Sequence, residues 1–321
     1  MKYQMKNKEK IYIAGHNGMI GSAILKILKK NKKFKLIYET KNNLNLTNQQ
    51  DVFKFLKIKK PDGVILAAAK VGGIHANNSE RASFIYENIS IQSNVIHGSY
   101  LAGVKNLIFL GSSCIYPRSS KQPIKEKYLL SDYLEKTNEP YAIAKIAGLK
   151  MCENYNNQYD LNYKTLMPCN AYGENDNYDL KSSHFLPALI RKIVDAIRTN
   201  KNYITLWGNG KPLRELIFSE DIASACVYFL KKKTKSKIFN IGSGIEYSIE
   251  DYAKLIMKHL NVNLKIVYDK KKPNGTFKKL LDSSLANKYG WRHKINFEKG
   301  ISIAINDYLK NHLKKKQNYF N

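Results

Sequence analysis

No stretch of this chain is apolar over the roughly 18 to 20 residues that a membrane span needs, and the segment from Met1 to Lys10 is polar, without an apolar signal core. Neither a span nor a leader is expected, and the expected compartment is the cytoplasm. Cysteine is scarce. Cys114, Cys152, Cys169 and Cys226 are the only four in 321 residues, with no C-x-x-C pair and no histidine at ligand spacing. A disulfide framework and a zinc site are therefore not expected, and no metal is assigned. Acidic residues are also few: 26 Asp and Glu against 54 Lys and Arg leave a formal charge of +28. Such an excess raises nucleic acid as a partner. The lysines are scattered, however, and the short runs Lys231–Lys233, Lys270–Lys272 and Lys314–Lys316 are not interleaved with aromatics. They read as a solvated face, one that also suits an anionic nucleotide, and no nucleic-acid partner is expected.

What is present is a regular alternation. Lys10–Ala14 is a β-rich run that ends in a glycine-rich turn, and Met19–Leu28 then carries apolar residues at helical spacing. The same reading predicts strands at Phe34–Tyr38, Gly63–Ala68, Asn106–Gly111 and Tyr163–Met167, with helices at Asn48–Lys57, Arg81–Ala102 and Tyr141–Gln158 between them. That order implies an α/β fold with a doubly wound parallel sheet. Beyond it the pattern becomes irregular. Asn170–Ser183 reads as a loop reaching over a site, Phe185–Arg198 and Glu220–Leu230 as helices, and Thr205–Phe218 as a hairpin-like excursion. At this length the chain supports a main domain and a smaller lobe. The division expected is a Rossmann domain of residues 8–173 with 217–243, and a smaller C-terminal α+β substrate-binding lobe of 174–216 with 244–321.

Gly15-His16-Asn17-Gly18-Met19-Ile20-Gly21 has the spacing G-x-x-G-x-x-G at the first strand-to-helix junction. Glycines there let the chain turn tightly and let backbone N–H groups approach a pyrophosphate. Dinucleotide preference is set at the end of the second strand, where an acid favours a ribose 2′-OH and cations favour a 2′-phosphate. Glu39 stands there, 18 residues after Gly21, and Lys41 follows closely. The signal is mixed.

Tyr141-Ala142-Ile143-Ala144-Lys145 has the Y-x-x-x-K spacing that puts a phenol and an ammonium on one helix face. An adjacent Lys⁺ is expected to lower the tyrosine pKa, so that the phenol can donate a proton as hydride reaches a ketone. Upstream, Gly111-Ser112-Ser113-Cys114-Ile115-Tyr116-Pro117 puts hydroxyl groups at the carboxyl end of the fourth strand, where open sheets bind ligands. Either serine can hydrogen-bond a carbonyl oxygen.

With these three motifs in this order, the chain resembles the extended short-chain dehydrogenase/reductase family. Ala67–Ile74, Gly111–Pro117, Asn138–Gly148, Ser183-His184 and Trp207-Gly208 through Arg214-Glu215 narrow the resemblance to the GDP-L-fucose synthase family, over nearly the whole chain. The resemblance implies 3,5-epimerisation and then 4-reduction of a GDP-4-keto sugar, with NADP(H) as cofactor and a homodimer as the assembly. It implies Ser112, Tyr141 and Lys145 as the reducing triad, with Cys114 as base and His184 as acid of the epimerising pair. For the cofactor it implies Gly15, Asn17, Gly18, Met19, Ile20, Gly21, Glu39, Lys41, Ala68, Leu110, Gly111, Lys145, Pro168, Asn170, Ala171 and His184. For the GDP-sugar it implies Ser113, Asn170, Lys192, Trp207, Arg214 and Lys279. Three positions depart from the family pattern. Asn17 and Glu39 stand where arginines toward a 2′-phosphate are usual, which keeps NAD(H) open, and Lys192 replaces an arginine fork with a point charge. Relatives of this family also reduce GDP-4-keto-heptoses, and a 4-reductase acting on such a sugar without epimerisation is the alternative reading.

Overall fold

The computed structural model describes residues 8–272 and 276–313. The chain runs β1 (Glu9–Ala14), α1 (Met19–Lys29), β2 (Phe34–Ile37), α2 (Gln49–Lys59), β3 (Gly63–Leu66), α3 (Ile74–Ser79), α4 (Arg81–Leu101), β4 (Asn106–Leu110), α5 (Glu139–Tyr159), β5 (Asn162–Pro168), β6 (Asn170–Tyr172), α6 (Phe185–Arg198), β7 (Tyr203–Trp207), β8 (Leu213–Phe218), α7 (Ser219–Leu230), β9 (Ile238–Ile241), β10 (Glu246–Ser248), α8 (Ile249–His259), β11 (Lys265–Asp269), α9 (Ser284–Lys288) and α10 (Phe297–Asp307). The last described Lys run, Lys270–Lys272, follows β11, and Lys314–Lys316 lies outside the described residues.

Six parallel strands form the main sheet in the order β2-β1-β3-β4-β5-β9. Their sequences are continuous apolar runs, as strands covered on both faces must be: Ile11, Tyr12, Ile13, Val64, Ile65, Leu107, Ile108 and Phe109 are all buried. Helices supply the cover. α1 turns Gly21, Ala23, Ile24 and Leu28 inward while Lys26 and Lys29 sit at its negative C-terminal end. The strand order reverses between β1 and β3, which opens a crevice at their carboxyl ends.

A second apolar core, centred on Leu186, Leu189, Ile193, Leu216, Tyr252, Ile256 and Ile301, lies outside that sheet. Two small sheets frame it, β10-β8-β6 and β11-β7. The chain passes between the cores several times. Tyr172 and Phe218 pack in the second core, while Leu281, Ala286 and Trp291 return to the first.

The excursion expected at Thr205–Phe218 is not a hairpin. β7 pairs in parallel with β11, whereas β8 pairs with β6 and β10 in the other small sheet. Gly208 and Gly210, both at positive φ, and then Pro212 turn the chain away from its own preceding strand.

Candidate active site

The glycine turn after β1 and the serine turn after β4 both leave the carboxyl ends of strands of the main sheet. After β1, Gly15 has φ +86° and a Cβ on it would lie 2.6 Å from the Ala68 backbone nitrogen, so β1 and the end of β3 touch backbone to backbone. Gly21 is tighter still, since a Cβ there would meet the Gly15 carbonyl. Gly18 is different: its nearest neighbour would be 3.6 Å away. The space over Gly18 is open, at the N-terminus of a helix whose first turn has no side-chain cap and no acid. Beside it His16 is buried, its ring tilted against Tyr38 with centroids 4.7 Å apart, and its Nδ1 lacks a partner. An uncapped positive helix end, open room above a glycine and an orphaned ring nitrogen fit the pyrophosphate of a dinucleotide. Asn17 is exposed at the rim, Met19 and Ile20 are half-buried in the first turn of α1, and Glu39, just past β2, accepts from Asn43 Nδ2 at 3.1 Å with Lys41 exposed next to it.

After β4, Gly111 lies against Thr165 and the Leu166 carbonyl of β5. Ser112 then caps a single 3₁₀ turn, its Oγ accepting from the Cys114 N–H at 3.1 Å. That turn separates the two serines. Ser112 and Cys114 face the crevice half-exposed, whereas Ser113 is buried. Ser112 is close enough to act on the phenol of Tyr141, which follows Pro140 in the first turn of α5.

One turn on, buried Lys145 lies with Nζ 5.7 Å from the Tyr141 ring centre and 4.8 Å from that of Phe109, and it donates to the Leu110 carbonyl at 2.8 Å. The electrostatics differ from the sequence expectation. Burial pushes the Lys145 pKa down to about 7 and pushes the Tyr141 phenol up rather than down, with Cys114 adding to the rise and Ser112 opposing it. Desolvation outweighs the neighbouring lysine, and Tyr141 is a protonated phenol at neutral pH.

Cys114 is also near enough to Arg214 to favour its charged guanidinium against a downward push from burial. Arg214 Nη1 donates to the carbonyls of Leu213 and Thr276, both at 2.7 Å. Leu213 N donates to Phe277 O at 2.8 Å, so the segment leading to half-buried Lys279 runs beside β8. Lys192 of α6 donates to the Thr205 carbonyl at 2.9 Å and stands 5.8 Å from the Trp207 ring, with Lys272 at 5.4 Å from the same ring. Burial lowers the Lys192 pKa. Pro168 ends β5, and Asn170 and Ala171 open β6, where Asn170 Nδ2 donates to the Glu215 carbonyl at 3.2 Å.

His184 stands at the N-cap position of α6 without a side-chain cap bond, and the residue is exposed on one side. The protein packed around the rest of the imidazole lowers its pKa. It is carried by a strap, Asn177–Ser183, that Asp179 cross-links by accepting from Lys181 N, Ser182 N and Ser182 Oγ.

Residues 11–242 match the model of the NAD dependent epimerase/dehydratase family. The chain belongs to that family. Within the family it is 47% identical to GDP-L-fucose synthase 1 of Arabidopsis thaliana, covering 94% of each chain, and 42% identical to GDP-L-fucose synthase of Escherichia coli, covering 95% of this chain and 98% of the relative. Among solved structures it superposes on a GDP-mannoheptose C4 reductase from Campylobacter jejuni with NADP bound, with a TM-score of 0.84 at 38% identity over 95% of this chain and all of that one.

Within this epimerase/dehydratase chain the structure brings Ser112, Cys114, Tyr141, Lys145 and Arg214 into one group, and places Lys192 with Trp207 as a second pair. Two residues at the site carried no assigned role in the sequence. Phe84 of α4 sets its ring edge-on to Tyr141 at 6.4 Å. Glu215, next to Arg214 on β8 and therefore on the opposite face, is fully buried and accepts from Gly244 N at 2.7 Å and Leu281 N at 2.9 Å. Burial raises its pKa to about 7. A carboxylate placed inward beside an outward arginine was the available signal. Among the described residues no group of three or more His, Cys, Asp or Glu could hold a metal, and no helix is long and apolar enough to cross a membrane.

Proposed function

We propose that this protein is an NADPH-dependent GDP-4-keto-sugar 3,5-epimerase/4-reductase. The observation that carries this reading is the grouping of Ser112, Cys114 and Tyr141 at the carboxyl edge of a dinucleotide-type sheet. The likeness to GDP-L-fucose synthases over nearly the whole chain supports it. The NADP-bound relative supports the cofactor.

When bound, the reduced nicotinamide supplies the hydride. Gly15, Gly18 and the N-terminus of α1 hold the pyrophosphate, and Lys145 holds the nicotinamide ribose. In epimerisation the Cys114 thiolate takes the proton from the carbon beside the ketone, and the bond's electron pair moves onto the carbonyl oxygen. His184, on the other face, returns a proton to the same carbon. The ketone at carbon 4 then rests between Ser112 and Tyr141. As it is reduced, the phenol proton passes to its oxygen, and burial keeps that phenol protonated until it is needed. The lobe formed by residues 174–216 and 244–321 binds the GDP moiety, with Arg214 and Lys279 toward the diphosphate and Lys192 and Trp207 toward the outer part of the nucleotide.

The proposal includes a cytoplasmic homodimer. α4 and α5 pack on each other and leave Tyr86 69% exposed, Leu101 56% and Ile143 42%, an apolar set suited to a second copy.

A cofactor-oxidation assay over a panel of GDP-4-keto sugars, run with NADPH and with NADH, tests the reading. Turnover of a GDP-4-keto-6-deoxyhexose with NADPH is expected, together with deuterium uptake at carbons 3 and 5 in heavy water without reductant. Turnover of a GDP-4-keto-heptose alone, with no deuterium uptake, would establish a reductase without epimerase activity.

A further inference from the structure

The segment Lys70-Val71-Gly72-Gly73, which leaves the carboxyl end of β3, touches both halves of the proposed site. Gly73 N donates to the Ser182 carbonyl at 2.8 Å, and a Cβ on Gly73 would lie 2.4 Å from the Ser183 carbonyl oxygen. The backbone of Gly73 does not require glycine, since φ is −67° and ψ −178°. The requirement is one of space alone. Gly72 is confined in the same way, with a Cβ 2.9 Å from that of Ala76 and 3.3 Å from the Phe84 ring, which in turn sets its edge on Tyr141. Buried Asn77 holds both carbonyls of the pair from behind: Nδ2 donates to Gly72 O at 2.6 Å and to Gly73 O at 3.1 Å. On the other side of the seam the strap is stiffened by Asp179 and by the Asn177 Nδ2 to Ser182 Oγ bond of 2.9 Å. A push on Ser183 is therefore passed to the next residue, His184, and not absorbed.

We propose that Gly73, fixed by Asn77, is a positioning residue for His184: its missing side chain sets how deeply the strap seats and so where the imidazole stands relative to Tyr141. The seam joins residues 110 positions apart, the difference between 73 and 183. Gly73 and Ser183 stand in two of the segments that carry the family resemblance, but nothing in either segment shows that they meet. The proposal rests on the epimerase reading for its catalytic consequence, but the position of His184 is measurable without it.

Gly73→Ala moves the Ser183 carbonyl by at least several tenths of an ångström, and misplacement of a catalytic group by about 1 Å costs on the order of 10²-fold in rate. Deuterium uptake at carbons 3 and 5 is expected to fall by about that factor, and much more steeply than NADPH-dependent reduction of an already epimerised ketone. Asn77→Ala, which adds no atoms and frees the two carbonyls, is expected to shift the same ratio in the same direction by a smaller factor. It decides the matter should Gly73→Ala not fold. In parallel, an NMR titration of the His184 imidazole is expected to show its depressed pKa returning toward the ordinary histidine value in both variants, with NADPH affinity unchanged within about twofold. Wild-type His184 titration in both variants, or equal loss of exchange, reduction and NADPH binding, overturns the proposal. A wild-type enzyme that takes up no deuterium while its His184 pKa still responds to Gly73→Ala sinks the epimerase reading and leaves the positioning intact.

Discussion

The proposed reducing and epimerising halves of the site are held in opposite ways. Ser112, Tyr141 and Lys145 sit on the carboxyl end of β4 and the first two turns of α5, in direct contact with the buried sheet. His184 belongs to no sheet. It stands at the end of a cross-linked strap whose seat is a backbone-to-backbone contact with Gly73. The first half is placed by the main core and the second by the Gly73 seam and by α6, which is packed in the second core, so the two are expected to fail separately.

Substitution of Tyr141 by Phe is the strongest test of that separation. It removes the proposed proton donor and leaves the ring's packing against Phe84, so reduction is expected to fall by about 10²- to 10⁴-fold, measured by NADPH oxidation. Deuterium uptake should change far less. Equal loss of both would mean that the two halves are one unit.

His184→Asn makes the reverse cut. Exchange at the ring carbons is expected to drop by about 10²-fold or more, with a much smaller loss in reduction of an already epimerised ketone. The wild-type pH profile sharpens the comparison. Burial lowers the His184 pKa below its ordinary 6.5, so the protonated acid is lost as pH rises through that depressed value. Exchange should therefore decline with pH earlier than an unperturbed histidine would dictate. The Tyr141 phenol, whose pKa is raised, should give no such decline in reduction near neutrality.

The smallest effect concerns the sheet itself. Lys164 of β5 is 0% exposed, donates to Asn162 Oδ1 at 2.6 Å, and has its pKa lowered from 10.5 to about 7 by burial and then by Lys237. Because the folded pKa lies below the unfolded one, the unfolded chain binds more protons between those values. The cost of this lysine is complete below about pH 7 and fades as pH rises toward 10.5. Lys164→Met is expected to stabilise the fold by about 1–3 kcal/mol at neutral pH and below, and by almost nothing near the upper limit, as read by urea denaturation. A destabilised variant would show that the core on this side depends on the ammonium.

These contrasts track what the sequence could convey. The glycine turn, the Tyr141–Lys145 pair and the parallel sheet were legible because each depends on spacing within a few residues or on unbroken apolar runs. The choice between Ser112 and Ser113 was not, because it depends on a 3₁₀ turn that buries one of them. The direction of the Tyr141 shift was missed because a neighbouring cation is visible in sequence and desolvation is not. β7 and β8 were read as a hairpin because their partners, β11 and β10, come some 30 to 60 residues later. The Gly73–Ser183 seam lay beyond reach for the same reason.

The edge strand β9 has a further consequence, for synthesis. Strands β1 to β5 are complete by Pro168, yet the strand that pairs with β5 begins only at Ile238, about 70 residues later. On the ribosome, a nearly finished sheet waits with the backbone of β5 unpaired on its open side while the whole of α6, β7 and β8 is made. A nascent chain stalled or cleaved in that interval presents an unpaired strand edge to its neighbours until α7 and β9 close it.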